Sequence, residues 1–248
     1  MKRLEETGID VYVIHGNHDH LGGTWASIEW PKNVHVFSSE IEIKSFRKNG
    51  RSLVNLYGFS YPERAVTENK ISDYTKQSDV PFHIGILHGS AEGAQQGDHG
   101  RYAPFTIKQL LEKQFDYWAL GHIHKRQTLY EEPFIVYPGN IQGRHRKEVG
   151  EKGCYLVNLT PTNTELSFKS TADILWEQAE LSISEMESYS ELVDKCYQTL
   201  DSYRRSEEGI ILSINLGGSG KLHKSLQDKN LIDELQTILM ESELEKRN

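Results

Sequence analysis

Three apolar runs in this chain end in the same way, and nothing else in it constrains the fold as strongly. Val11 to Ile14 leads into Gly16-Asn17-His18-Asp19. Phe82 to Leu87 leads into His88-Gly89. Tyr117 to Leu120 leads into Gly121-His122-Ile123-His124. Short apolar, β-branched runs bounded by Gly and polar residues read as buried strands. Three strands that each end in a loop carrying Asn or His are the elements of a metal site at the edge of a sheet.

The residue types suit that chemistry. Asn17 can offer a neutral carbonyl oxygen to a divalent ion, and neutral imidazoles such as His88, His122 and His124 are good ligands for Mn, Fe or Zn. Gly16 and Gly121 allow the backbone to turn tightly beneath an ion. Paired ions activate water, bind phosphate oxygens and stabilise a leaving oxygen, so the set points to phosphoester hydrolysis. His18 is placed to protonate the leaving group, with Asp19 to orient and charge it. Each fragment alone is weak, because isolated Asn-His and His-x-His pairs are common. Their order, the strand ends and the glycines give the combination its force.

The rest of the chain reads as follows. Met1 to Thr7 forms the end of a helix stopped by Gly8. A helix this short is normally the tail of a longer one, which predicts an N-terminally incomplete chain. Strands are predicted at Val34–Phe37, Ile41–Phe46, Ser52–Phe59, Phe134–Tyr137, Cys154–Asn158 and Glu165–Ser170. Lys48-Asn49-Gly50-Arg51 is a hairpin signal. Thr106 caps a helix to Gln114. Beyond residue 173 come a strand at 174–183, a helix at 184–204, a strand at 210–216 and a helix at 226–244. The predicted fold class is α/β: a β-sandwich flanked by helices over residues 1–172, then a small α/β domain over 173–248.

Charge marks the same boundary. Residues 1–172 carry 20 basic and 20 acidic groups, whereas 173–208 carry ten acidic against three basic. That argues against a broad basic face on the second part. The two cysteines form no disulfide framework and suggest a reducing, cytoplasmic setting. No apolar run approaches the roughly 20 residues that span a bilayer.

The ordered set of Gly16-Asn17-His18-Asp19, His88 and Gly121-His122-Ile123-His124 resembles the calcineurin-like metallophosphoesterase superfamily. Leu87-His88-Gly89, Tyr102-Ala103-Pro104-Phe105, the run Asp116 to Lys125, and Tyr137 to Arg144 are similar to the nuclease subunits of DNA double-strand-break repair complexes. The bacterial SbcD and YhaO-like branch matches best, and Glu151-Lys152-Gly153 fits it too. The resemblance implies that Asn17, His88 and His122 ligate one metal and His124 the other, with His18 the catalytic acid. It implies two divalent ions, most often Mn, a capping domain beginning near 173, and exonuclease action on DNA ends. It further implies a coiled-coil ATPase partner and a homodimer. The family also uses an upstream Asp-x-His and Gly-Asp, and neither precedes Gly16 here.

Two rival readings remain open at this stage. One keeps the chemistry but acts on cyclic nucleotides or phosphoproteins. The other is a non-catalytic DNA-repair subunit with a partial metal site. Arg144 and His145, in the basic run to Lys147, are candidate contacts to a DNA backbone, about even with a solvated turn. His15, His35 and His83 read as structural, and Asp98 and His99 as loop. Trp25, Trp30 and Trp118 read as core or surface aromatics. The apolar stripe of the 184–204 helix reads as core.

Overall fold

The structure is a computed structural model that describes residues 1–24, 29–77, 80–92, 101–204 and 208–245. Asp98, His99 and Trp25 therefore lie outside the described residues. The chain divides into two compact units. One comprises Met1–Asn140 with Gly153–Ser170, the other Ile141–Lys152 with Thr171–Asn248.

The first unit opens with helix α1 (Lys2–Glu6), ended by Gly8 at φ 70°. Strand β1 (Val11–Val13) pairs in parallel with β2 (Val34–Val36). The sequence predicts a longer, buried strand here. The observed one is three residues long and half-buried, since among the described residues β2 is its one ladder partner.

The main sheet contains β3 (Glu42–Lys48), β4 (Arg51–Gly58), β5 (Phe82–His88), β6 (Tyr117–Gly121), β7 (Gln127–Glu131) and β8 (Phe134–Tyr137). Their order is β3-β4-β5-β6-β8-β7. Strands β4, β5, β6 and β8 are parallel, and the edges β3 and β7 are antiparallel. The β3–β4 turn follows the predicted Asn-Gly pattern, with Asn49 at φ 52° and Gly50 at 76°. The sequence reading missed β7, a polar edge strand whose Gln127-Thr128-Leu129-Tyr130-Glu131 carries little apolar signal. Helix α2 (Ile107–Glu112) starts at Thr106 with a capping box, as Thr106 accepts from the Gln109 N–H and Gln109 reaches back to the Thr106 N–H. A separate hairpin of β9 (Gly153–Leu159) and β10 (Thr164–Ser170) completes the unit.

Strand β5 is covered on both faces, so its side chains divide cleanly by alternation. His83, Gly85 and Leu87 point to the face that carries Trp118, Phe115 and Tyr74. Ile86 and His88 point the other way. A Cβ at Gly58 would touch both Ile86 and Ile14, so the end of β1 packs over this second face.

His83 is buried and held in place. Its Nδ1 shares a 2.8 Å hydrogen bond with the Tyr57 hydroxyl, its N–H donates to Asp116 Oδ2 at 2.7 Å, and its carbonyl accepts from the Asp116 N–H. Burial, reinforced by the Lys76 charge, lowers its pKa below the ordinary value of 6.5. The unfolded chain therefore binds this proton more readily than the native state does. The stabilisation is complete above pH ~6.5 and falls away as pH drops below that value toward the native pKa. A His83→Gln variant should show a flatter urea midpoint between pH 7 and pH 5 than the wild type. Equal slopes would exclude this role.

In the second unit, β11 (Ile174–Ser182) and β12 (Gly209–Gly217) form a parallel pair. Helix α3 (Tyr189–Ser202) and helix α4 (Lys229–Glu245) accompany them. Helix α3 begins five residues later than predicted, because Ser188 caps it by accepting from the Glu191 N–H. Its Leu192 and Cys196 enter a core with Ile183, Met186, Leu222 and Leu235, so the stripe is packed as expected.

Candidate metal centre

The parallel strands determine which loops meet. Strands β5 and β6 run side by side with His88 opposite Gly121, so the loops that follow them emerge together. The turn after β1 arrives on the same face. At this edge His88 Nε2 lies 2.9 Å from Asn17 Oδ1. The His88 and His122 rings stand 5.2 Å apart, edge to face. Asn17 and His122 are both buried.

Glycine makes the approach possible. A Cβ on Gly16 would lie 2.4 Å from the His88 ring, and one on Gly121 would lie 3.0 Å from His88 Nδ1. Any larger residue at Gly16 would have to push the imidazole out of place. His122 sits at φ 100°, a conformation rarely adopted by a non-glycine residue. Aromatic groups brace the loops. The Tyr61 hydroxyl donates to the His88 carbonyl at 2.7 Å, the Tyr137 hydroxyl donates to the Gly89 carbonyl at 2.6 Å, and Tyr102 meets the His122 ring edge-on.

The electrostatics keep His88 neutral. Burial is the main cause, and the neighbouring His122, His18 and His124 add to it against the opposing pull of Asp19. Together they push its pKa down to about 3. A ring that stays unprotonated at neutral pH keeps a lone pair available for a cation.

Asp19 acts within its own turn. Its Oδ1 accepts the Gly16 N–H at 2.7 Å and its Oδ2 pairs with His15 Nδ1 at 3.1 Å. His15 is therefore part of the loop's internal scaffold. His18 is exposed at the tip of the same turn, open to a substrate. His124 is half-buried, and its carbonyl accepts the Asn140 N–H at 3.3 Å. Gly139, at φ 81°, lets that loop pass close to the His124 carbonyl. The structure thus brings Asn17, His88 and His122 into contact and places His18 and His124 within electrostatic reach. Arg144 and His145 belong to the second unit. The hydroxyls of Tyr61 and Tyr137 escaped the sequence reading, since a core tyrosine carries no local sign that it holds a loop carbonyl.

These donors fit part of a metal centre. Cis ligands about 2.1 Å from one ion lie about 3 Å apart, close to the His88–Asn17 separation. Imidazole nitrogen with amide oxygen suits a first-row divalent ion. Among the described residues, however, no group of three or more His, Cys, Asp and Glu is arranged to hold a metal. The donors in contact are two imidazoles and one amide, and the nearby carboxylate of Asp19 is turned to Gly16 and His15.

A parallel-centred sheet with helices, and Asn and His converging beyond its strand ends, is consistent with a metallophosphoesterase fold. The family model for calcineurin-like phosphoesterases matches residues 1–126, and the chain belongs to that family. Its members are hydrolases that generally bind divalent metals. A second model, the middle domain of metallophosphoesterase YhaO, matches residues 176–246. The chain is 45% identical over 247 residues to an uncharacterized metallophosphoesterase, YhaO, of Bacillus subtilis. That alignment covers 99% of this chain and 60% of the Bacillus protein. It is also 26% identical over 216 residues to the DNA double-strand break repair protein Mre11 of Methanocaldococcus jannaschii, covering 78% of this chain and 54% of that protein. The chain thus spans somewhat more than half the length of these relatives. Among the described residues no helix is long and apolar enough to cross a membrane.

Proposed function

We propose that this chain is the core of a metal-dependent DNA exonuclease of double-strand-break repair, working on DNA ends beside a coiled-coil ATPase and as a homodimer. The observation that carries the reading is the convergence of Asn17, His88 and His122 beyond the ends of β1, β5 and β6. The similarity to the archaeal Mre11 supports the choice of substrate.

In this reading Asn17, His88 and His122 would hold one divalent ion and His124 a second, with Mn the favoured metal. Bound ions supply Lewis acidity and an activated water. The protein's own groups do the rest. Burial keeps His88 neutral. The Asp19 carboxylate fixes the turn through Gly16 and His15, which holds His18 outward. From there His18 contacts the phosphate and delivers a proton to the departing 3′ oxygen.

The test is an assay of the full-length protein containing this chain, with Mn²⁺, on linear duplex DNA. End-dependent degradation that EDTA abolishes is the expected result. His18→Ala should retain DNA binding and lose turnover by roughly 10²- to 10⁴-fold. Hydrolysis of cyclic nucleotides or phosphopeptides without DNA cleavage would overturn the reading.

A further inference from the structure

The second unit contains a basic turn that its backbone hydrogen bonds hold ready for use. Residues 142–150 are fastened to β11 along their length. The Trp176 indole N–H donates to the Gly143 carbonyl at 3.1 Å, and the Gln178 amide donates to the Arg146 carbonyl at 2.9 Å. Gln142 donates to the Ile174 carbonyl, and the Gly150 N–H donates to the Trp176 carbonyl. Inside the turn, the buried carboxylate of Glu148 accepts the Arg144 N–H at 2.7 Å. His145 Nδ1 accepts the Lys147 N–H, and its Nε2 faces Glu148 at 3.6 Å.

Two consequences follow from this wiring. His145 is tied into the turn through its Nδ1, while its side chain stays more than half exposed. Glu148 faces inward to a backbone N–H, and among the described residues no carboxylate pairs with the guanidinium of Arg144 or Arg146. Both arginines are exposed, as is Lys147. A guanidinium on a fixed backbone loses little freedom when it grips a phosphate with its planar fork. The surroundings sharpen the contrast. The second unit carries twelve basic and eighteen acidic residues, yet positions 144–147 are Arg-His-Arg-Lys. An acidic body repels a polyanion in general, so within the second unit this turn is the segment suited to meet one.

We propose that the turn Gly143–Glu148 is a preformed contact for the DNA phosphate backbone, made through Arg144 and Arg146 and preset by Glu148. The proposal rests on the nuclease reading and extends it to a surface in the second unit. Phosphate contacts of this kind position the duplex without reading its sequence.

The test uses the full-length protein, a fluorescent duplex and a salt series. Each lost phosphate contact flattens the slope of log K against log salt by about 0.9. Arg144→Ala with Arg146→Ala should flatten it by about 1.8 and weaken binding on the order of ten-fold at moderate salt. Its melting temperature should match the wild type. A control removing equal charge elsewhere in the unit, Lys224→Ala with Lys229→Ala, should leave the slope unchanged. Glu148→Gln keeps an acceptor for the Arg144 N–H and should keep most of the slope, whereas Glu148→Ala should lose part of it. If the wild type cleaves DNA and the double arginine variant binds with an unaltered slope, this proposal fails and the nuclease reading stands. A wild type that neither binds nor cleaves DNA overturns both.

Discussion

His88→Ala in the full-length protein should abolish metal-supported phosphodiester hydrolysis, by a factor of at least about 10³. Its melting temperature in metal-free buffer should fall by only a few degrees. The two halves of this prediction have different origins. His88 contributes one amide contact, one edge-on contact with Tyr61 and one with His122. Losing these costs about 1–2 kcal/mol, a modest part of the stability of a chain this size. The site loses far more, because His88 is the side chain that meets both Asn17 and His122. Isothermal titration with Mn²⁺ beside a kinetic assay would separate the halves. Collapse of the metal-free fold would place His88 in the scaffold, and full activity would remove it from the centre. Asn17→Ala is a useful companion, since it removes the partner oxygen while leaving the imidazole in place.

Gly85→Ala should damage stability more than any other single methyl addition to β5. A Cβ at this position would lie 2.2 Å from the six-membered ring of Trp118, a distance no packing tolerates. Trp118 cannot step aside. It is fully buried, stacked on Phe115 at 5.0 Å and tilted against Tyr74 at 5.3 Å. Overpacking of this kind costs about 3 kcal/mol, and the melting temperature should drop by roughly 6–12 °C. Trp118→Leu in the same chain relieves the clash, so the double variant should lose less than the two single losses combined. Strict additivity in thermal melts would show that the glycine's partner is something other than the tryptophan.

The sequence made the central strands and the candidate ligands legible for one physical reason. Strands buried on both faces are continuously apolar, so Phe82–Leu87 and Tyr117–Leu120 stand out, and their ends are marked by His and Gly. The hairpin at Asn49-Gly50 and the cap at Thr106 were equally plain, because backbone geometry dictates both residue types. What escaped was whatever depends on distant partners. Strand β7 is half-exposed and polar, so it carries no periodic signal. The start of α3 depends on Ser188 rather than on the apolar stripe. The inward turn of Asp19 toward Gly16 and His15 follows from how one loop closes. The roles of Glu148 and His145 inside their turn cannot be read from a run of basic letters. The depressed basicity of His88 arises only when folding buries its ring and brings His122, His18 and His124 near it.

The ladder between β5 and β6 has one more implication. His88 faces Gly121 in that pairing, and alternate residues of β5 go to opposite sides. A slip of one position would send His88 toward the Trp118 side and bring His83 to the opposite surface. Asn17, 71 positions away in sequence, would then have no nitrogen within reach. Cation affinity at the proposed centre would therefore be a gauge of correct strand alignment. A simple titration during refolding would report when the ladder has locked into place, before any catalytic assay could.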